Sequence, residues 1–187
     1  MNKIIGISGV AGAGKDLFYS LLSKKIATQR MALADELKKE IRDFSISLYG
    51  IDPTDCSRWD KEKIRNLLIF HGGFRREQSS GRYWLEKLDQ QIKKVEENKT
   101  ICITDIRYVE YEKDEIHWLK KEKGGVLVHI SRVLEDGTIK LAPNDHEKKN
   151  DPILNYLADY KIAWPTTKDE AQLDSYINNF VDWLDKN

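Results

Sequence analysis

Apolar runs and polar breaks alternate along the whole chain. Lys3–Ser8 (KIIGIS) is a short β-rich run that ends at glycine, as a buried parallel strand does. Beyond Gly14, Leu17, Phe18, Leu21, Leu22 and Ile26 fall on one helical face. Arg30–Leu33 predicts a brief second strand. Asp35 then reads as the N-cap of a helix carrying Leu37, Ile41, Phe44 and Leu48, stopped by Gly50 and Asp52-Pro53. A helix is expected from Trp59 to Phe70, closed by His71-Gly72-Gly73, and another around Trp84, Leu88, Ile92 and Val95. Thr100–Thr104 is the second clear strand, with Asp105 at its carboxyl end. A helix around Glu112–Lys123 ends at Gly124-Gly125, and Val126–Ser131 is the third clear strand. Residues 133–150 hold few apolar side chains, carry Asp136-Gly137 and Pro143, and read as an excursion outside the core. Tyr160–Ala163 is a last short strand before a terminal helix bearing Leu173, Ile177, Phe180, Val181 and Leu184.

Strands separated by helices imply a parallel sheet covered on both faces. The expectation is an α/β chain, a three-layer α/β/α domain of about five parallel strands over residues 1–187. Residues 133–150 form a lid insertion in that reading.

Charge narrows the partners. Lys and Arg total 31 and Asp and Glu total 31, a formal net charge of zero. Duplex DNA usually needs a basic excess, so no stable nucleic-acid partner is expected, although a local basic pocket for a small anion stays open. Cys56 and Cys102 stand far apart without Cys/His spacing, which gives neither a zinc signature nor a disulfide framework. The first residues are too short an apolar run for a signal sequence, and no stretch approaches a membrane span. A soluble chain in a reducing, cytoplasmic setting is expected, and self-association into a homodimer stays open.

The chemistry begins at Gly9-Val10-Ala11-Gly12-Ala13-Gly14-Lys15-Asp16, which fits G-x-x-x-x-G-K between a buried strand and an amphipathic helix. Glycines let the backbone wrap a phosphate so that N–H groups and the helix N-terminus face it, and Lys15 supplies a mobile positive charge. The pattern points to bound ATP with Mg²⁺. Asp16 replaces the usual Ser or Thr; it either serves the metal or caps its helix. Asn98-Lys99-Thr100-Ile101 lacks the Asp of a guanine-reading motif, which disfavours a GTPase.

Acceptor chemistry needs cations that neutralise charge between donor and acceptor. Arg75 and Arg76 stand in what reads as a glycine-rich turn, with Arg82 close behind. Arg107 leaves the carboxyl end of a central strand, the edge where open α/β sheets bind ligands. Asp105 is either a metal-side acid or a cap or ion-pair partner for Arg107. Asp35 either orients the acceptor or caps its helix, and Trp84 either stacks on a base or packs in the core. His71 and His117 read as structural. Arg132 opens the 133–150 excursion and could reach the donor phosphates, while His146 and Glu147 either belong to the lid or to a solvated loop.

Several segments together resemble phage-type deoxynucleoside monophosphate kinases. They are the Gly-Lys-Asp of the loop, Leu33-Ala34-Asp35-Glu36-Leu37-Lys38, Phe74-Arg75-Arg76-Glu77-Gln78, Arg82-Tyr83-Trp84-Leu85, Thr104-Asp105-Ile106-Arg107 and Asp145-His146-Glu147. They run in the family's order over residues 5 to about 165. The layout is also similar to animal-type phosphomevalonate kinase. The resemblance implies a P-loop kinase that moves the γ-phosphoryl of Mg·ATP onto a nucleoside monophosphate, in the host cytoplasm if the chain is viral. Lys15, Arg107 and Arg132 would then be catalytic, and Gly9 to Asp16 would hold ATP. Asp35, Lys38, Arg75, Arg76, Arg82, Trp84 and Arg107 would face the acceptor, and Asp16 and Asp105 the metal. The rivals are a phosphomevalonate-type kinase, a kinase of modified bases in DNA, which the zero net charge counts against, and a silent nucleotide-binding regulator.

Overall fold

The structure is a computed structural model that describes residues 2–167 and 169–187. Five strands form one parallel sheet: β1 (Ile4–Ser8), β2 (Thr28–Met31), β3 (Thr100–Ile103), β4 (Val126–Val133) and β5 (Tyr160–Pro165), in the order β2-β3-β1-β4-β5. The helices are α1 (Lys15–Ser23), α2 (Leu33–Tyr49), α3 (Arg58–Lys63), α4 (Arg65–Gln78), α5 (Tyr83–Ile92), α6 (Glu115–His117), α7 (Asp145–Leu157) and α8 (Ala171–Lys186). This is the α/β parallel architecture the sequence predicts.

Alternation along the strands sorts the core into two halves. Ile5 and Ile7 of β1, Val128 and Ile130 of β4 and Ile162 of β5 pack against Phe18 and Leu22 of α1 and Ile177 and Phe180 of α8. Ile4, Ile101, Ile103 and Leu127 point the other way, onto Leu85 and Leu88 of α5, Trp118, Leu119 and Leu154 of α7. Because β1 lies between β3 and β4, its carboxyl end delivers the glycine loop to the middle of the sheet edge. The turn after β3 arrives alongside it.

The structure departs from the sequence reading in six places, the first being that the single helix expected from Trp59 to Phe70 is two, α3 and α4, broken at Ile64. Gly72 and Gly73 do not close a helix; they sit inside α4, so Arg75 and Arg76 are helical rather than in a turn. Neither glycine has positive φ, and Gly72 packs on Leu37, so the helix bears their propensity cost. Helix α7 occupies 145–157, so the expected excursion is an irregular segment followed by a helix. Its apolar signal is weak because only Asn150 and Leu154 are buried, and Pro152 lies within it. The helix expected over 112–123 shortens to α6 and a π-helical turn, Trp118–Glu122. Strand β2 begins and ends two residues earlier than expected. Finally, α2 starts at Leu33, which puts Asp35 in its first turn rather than at its cap.

Candidate functional site

Three glycines with positive φ, Gly9 (131°), Gly12 (79°) and Gly14 (102°), fold the loop between β1 and α1. Trp164 of β5 braces it from below, donating its indole N–H to the Ala13 carbonyl at 2.9 Å. At Gly14 a side chain is excluded outright: a Cβ there would lie 2.8 Å from Arg132 Nη2 and 2.8 Å from Trp164 Cζ2. Lys15 folds back and donates to the carbonyls of Gly9 (2.5 Å) and Val10 (3.1 Å). Burial, and then the charge of Arg107, lower its ammonium pKa against the pull of Glu147, Asp16 and Asp105.

The 133–150 segment lies on this loop. Lys140 is tied by its N–H to the Arg132 carbonyl at 2.8 Å and reaches Gly12, where a Cβ would meet its Cε at 3.0 Å. Glu147, in the first turn of α7, accepts a 2.7 Å hydrogen bond from the Ala11 N–H. Beside Gly14, the buried Arg132 Nε has no hydrogen-bond partner among the described residues. Behind the loop, Ser8 Oγ lies 3.1 Å from His129 Nδ1, and His129 Nε2 lies 3.8 Å from Asp151.

Of the sequence alternatives for Asp105, the structure shows the cap, made to a helix distant in sequence. Its two oxygens accept from the N–H groups of Leu33 (2.8 Å) and Ala34 (2.9 Å), two first-turn donors of α2 that have no partner within the helix. Ala32, the residue at the cap, has no side-chain acceptor, so a carboxylate from β3 serves the helix N-terminus instead. Asp105 does not pair with Arg107. The turn holding Arg107 is fixed through its backbone: Glu115 accepts from the N–H groups of Arg107 (2.6 Å) and Tyr108 (3.0 Å), and Asn150 from Val109 (3.1 Å). The Arg107 side chain is exposed, and its charge bears on both Lys15 and Lys61.

Five expected acceptor residues are committed elsewhere. Arg76 is buried, pairs with Asp114 (2.8 Å) and Glu115 (3.2 Å), and stacks 3.8 Å from the Tyr108 ring. It underpins the Arg107 turn rather than facing a ligand. Arg75 pairs with Glu40 at 3.0 Å and lies over Tyr83. Arg82 grips Glu122 with both terminal nitrogens, at 2.7 and 2.9 Å. Trp84 is 5% exposed, in the core, with its N–H on the Gly72 carbonyl. Asp35 pairs with Arg30 at 2.8 Å and stands 3.8 Å from Lys38.

Sequence reasoning missed Lys140, which reaches Gly12 of the loop. Lys140 has no motif around it.

No family model matches the chain, and no curated protein matches it significantly. Solved structures do. A dephospho-CoA kinase from Campylobacter jejuni aligns over 100% of this chain and 98% of its own, with TM-score 0.54 and 13% identity. The protein TT1252 from Thermus thermophilus aligns over 98% of both chains, with TM-score 0.50 and 16% identity. The chain shares the fold of that kinase. Among the described residues, no helix is long and apolar enough to cross a membrane.

Proposed function

We propose that the chain is an ATP-dependent phosphotransferase that converts a (deoxy)nucleoside monophosphate to the diphosphate. Residues 1–187 form one kinase domain, and 133–150 supply its lid. The observation that carries the reading is the loop itself: a positive-φ glycine cradle ahead of α1, a lysine within it, and Arg107 close enough to act on that lysine.

The residues present fit a triphosphate. Gly14 leaves no room for a side chain, and Arg132 brings an unpartnered buried N–H to the same place. They also fit Mg²⁺ bound chiefly by phosphate and water. Among the described residues no three His, Cys, Asp or Glu side chains converge as a cage, and Mg²⁺ commonly uses one or two carboxylates. Asp16 is the nearest candidate and Asp105 the next, although its oxygens already serve α2. When bound with ATP, the metal neutralises charge on the phosphate oxygens.

The protein's own contribution is positioning and charge. Lys15 exchanges the carbonyls of Gly9 and Val10 for phosphate oxygens, Arg132 and Lys140 approach from the lid, and Arg107 stands between donor and acceptor. The draped 133–150 segment keeps water from the γ-phosphoryl. An acceptor phosphate oxygen is already anionic and needs no base, which suits a crevice where Asp105 is occupied by amides and Asp35 by Arg30.

A coupled ADP-release assay tests the reading against dNMPs, NMPs, phosphomevalonate and dephospho-CoA, the last because the Campylobacter jejuni structure carries that name. Turnover with a nucleoside monophosphate is expected, and turnover only with another acceptor would replace that substrate. Lys15→Ala is expected to lose several kcal/mol of transition-state stabilisation with little change in melting temperature. Retention of more than roughly a tenth of the turnover counts against phosphoryl transfer altogether.

A further inference from the structure

Where Arg107 points depends on its turn, and that turn is held from two sides. On one side Glu115, itself buried and paired with Arg76, accepts the N–H groups of Arg107 and Tyr108. On the other side stands α7. The Asn150 carboxamide is 1% exposed and has both ends engaged. Its oxygen accepts the Val109 N–H at 3.1 Å, and its nitrogen donates to the His146 carbonyl at 2.9 Å. The His146 ring meets the Tyr108 ring edge-on with centroids 6.4 Å apart, and Lys149 lies 3.3 Å from Glu110. Tyr108, Val109 and Glu110 thus each meet α7. The same stretch of helix carries Glu147, whose carboxylate accepts the Ala11 N–H at 2.7 Å. Glu147 and Asn150 stand three residues apart, which puts them side by side on the helix surface. One of them touches the glycine loop and the other the turn of Arg107. Packing alone does not call for an amide here. An apolar side chain of similar shape would fill the space and leave the Val109 N–H without a partner.

We infer that Asn150 of α7 is a positioning residue for phosphoryl transfer, holding the turn of Arg107 in alignment with the glycine loop that Glu147 touches from the same helix. The inference rests on the proposed phosphotransfer reading, in which Arg107 stands between donor and acceptor, and adds the helix that ties the two sides together. Strands β1 and β3 are neighbours, and the Ile106 N–H bonds to the Ile7 carbonyl at 3.2 Å, so the start of the turn follows the sheet. Beyond Ile106, Glu115 and Asn150 take over. Release of the Val109 N–H frees the far side of the turn, and a misplacement of about 1 Å in a catalytic group lowers the rate by as much as a hundredfold. Asn150 touches neither substrate; its effect passes through Arg107. A nucleotide that draws the Ala11 N–H away from Glu147 acts on the same helical turn, so the state of the loop reaches Val109 through Asn150.

Steady-state kinetics and amide exchange test it. Asn150→Ala should lower kcat about tenfold or more, and Arg107→Ala at least as much. The double variant should lose little beyond Arg107→Ala alone, because Asn150 acts through that side chain. Asn150→Asp keeps the oxygen that accepts the Val109 N–H and gives up only the donation to His146. It should melt below wild type yet keep most of its kcat, whereas a merely structural Asn150 would move melting in both variants and kcat in neither. Independently of turnover, the Val109 amide should exchange with solvent deuterium about tenfold or more faster in Asn150→Ala. Removing the loop contact by Glu147→Ala should speed exchange at Val109 while Asn150 is present and add nothing in Asn150→Ala. Full additivity of Asn150→Ala and Arg107→Ala, an unchanged kcat in Asn150→Ala, or a Val109 amide that ignores either Asn150→Ala or Glu147→Ala overturns the inference. Where Asn150→Ala does not fold, Asn150→Asp decides, and kcat lost while the Val109 amide stays protected overturns it. If wild type transfers phosphate to no acceptor, the functional reading fails, and the exchange measurements alone decide whether Asn150 links the loop to the turn.

Discussion

At the scale of single residues, the loop's own contacts set how readily it accepts a phosphate. Ala11 donates its N–H to Glu147, and Lys15 spends its ammonium on two backbone carbonyls. A carboxylate on the loop amide occupies a donor of the kind that a phosphate would use, so nucleotide has to displace it. The apparent affinity is then reduced by the fraction of molecules in which Glu147 is released. Glu147→Gln, and Glu147→Asp with its shorter reach, should both bind ADP about threefold or more tightly than wild type. Titration calorimetry reads this directly. Tightening by Gln alone would assign the effect to general charge repulsion, and equal or weaker binding by both would make Glu147 a contributor to the site. The same scale explains which side chains the sequence could identify. Lys15 and the glycines are legible because backbone wrapping dictates their spacing. Arg76 was misread because its partners, Asp114 and Glu115, lie almost forty residues away and make it a structural cation.

Among elements, strands were legible and helix ends were not. Strands β1, β3 and β4 are nearly continuous apolar runs because both of their faces are covered, and α8 carries an unbroken apolar stripe. Helix α7 escaped notice because it buries so little, with Asn150 serving the Val109 N–H instead of a hydrophobic contact. The cap of α2 was invisible for another reason: its acceptor, Asp105, is 72 residues downstream of Leu33. In α4, Gly72 and Gly73 imitate a stop signal. At Gly73 the backbone is not in the positive-φ region and a Cβ would meet nothing within 4 Å. Gly73→Ala should therefore stabilise the fold by ~1 kcal/mol through helix propensity and a stiffer unfolded chain. Thermal unfolding should rise by about 2–4 °C. No rise would mean that α4 needs its flexibility at this point.

Over the whole molecule, the dependence of stability on pH should conceal two opposite effects beneath the loop. Asp151 is pushed up to about 6 by burial and by Glu147, against the pull of Lys15. His129, 3.8 Å away, is pushed down to about 4 by burial and the charges of Lys15 and Lys161. Between about pH 4 and 6 the folded chain holds the proton on Asp151 and leaves His129 neutral. The unfolded chain has the reverse arrangement, an ionised Asp and a protonated His. Proton counts match, so these two groups leave stability flat across that window. Asp151→Asn removes one side of the balance. Stability should then fall as pH drops from about 6.5 to 4, because the unfolded His takes a proton that the folded one refuses, a loss of ~2–3 kcal/mol. His129→Asn should show the opposite slope, with stability rising as pH falls toward 4. Glu40 sets a separate acid limb. Burial raises its carboxyl, but hydrogen bonds from Tyr83, Lys87 and His71 outweigh this and hold it at about 2, so its contribution fades below about pH 4.5 in all three proteins. Denaturant unfolding at several pH values from 3 to 8 separates these cases. Parallel curves for wild type and Asp151→Asn would show that His129 and Asp151 do not exchange a proton's worth of stability. The pair would then be a packing feature of the sheet's edge, without influence on the charge beneath Lys15.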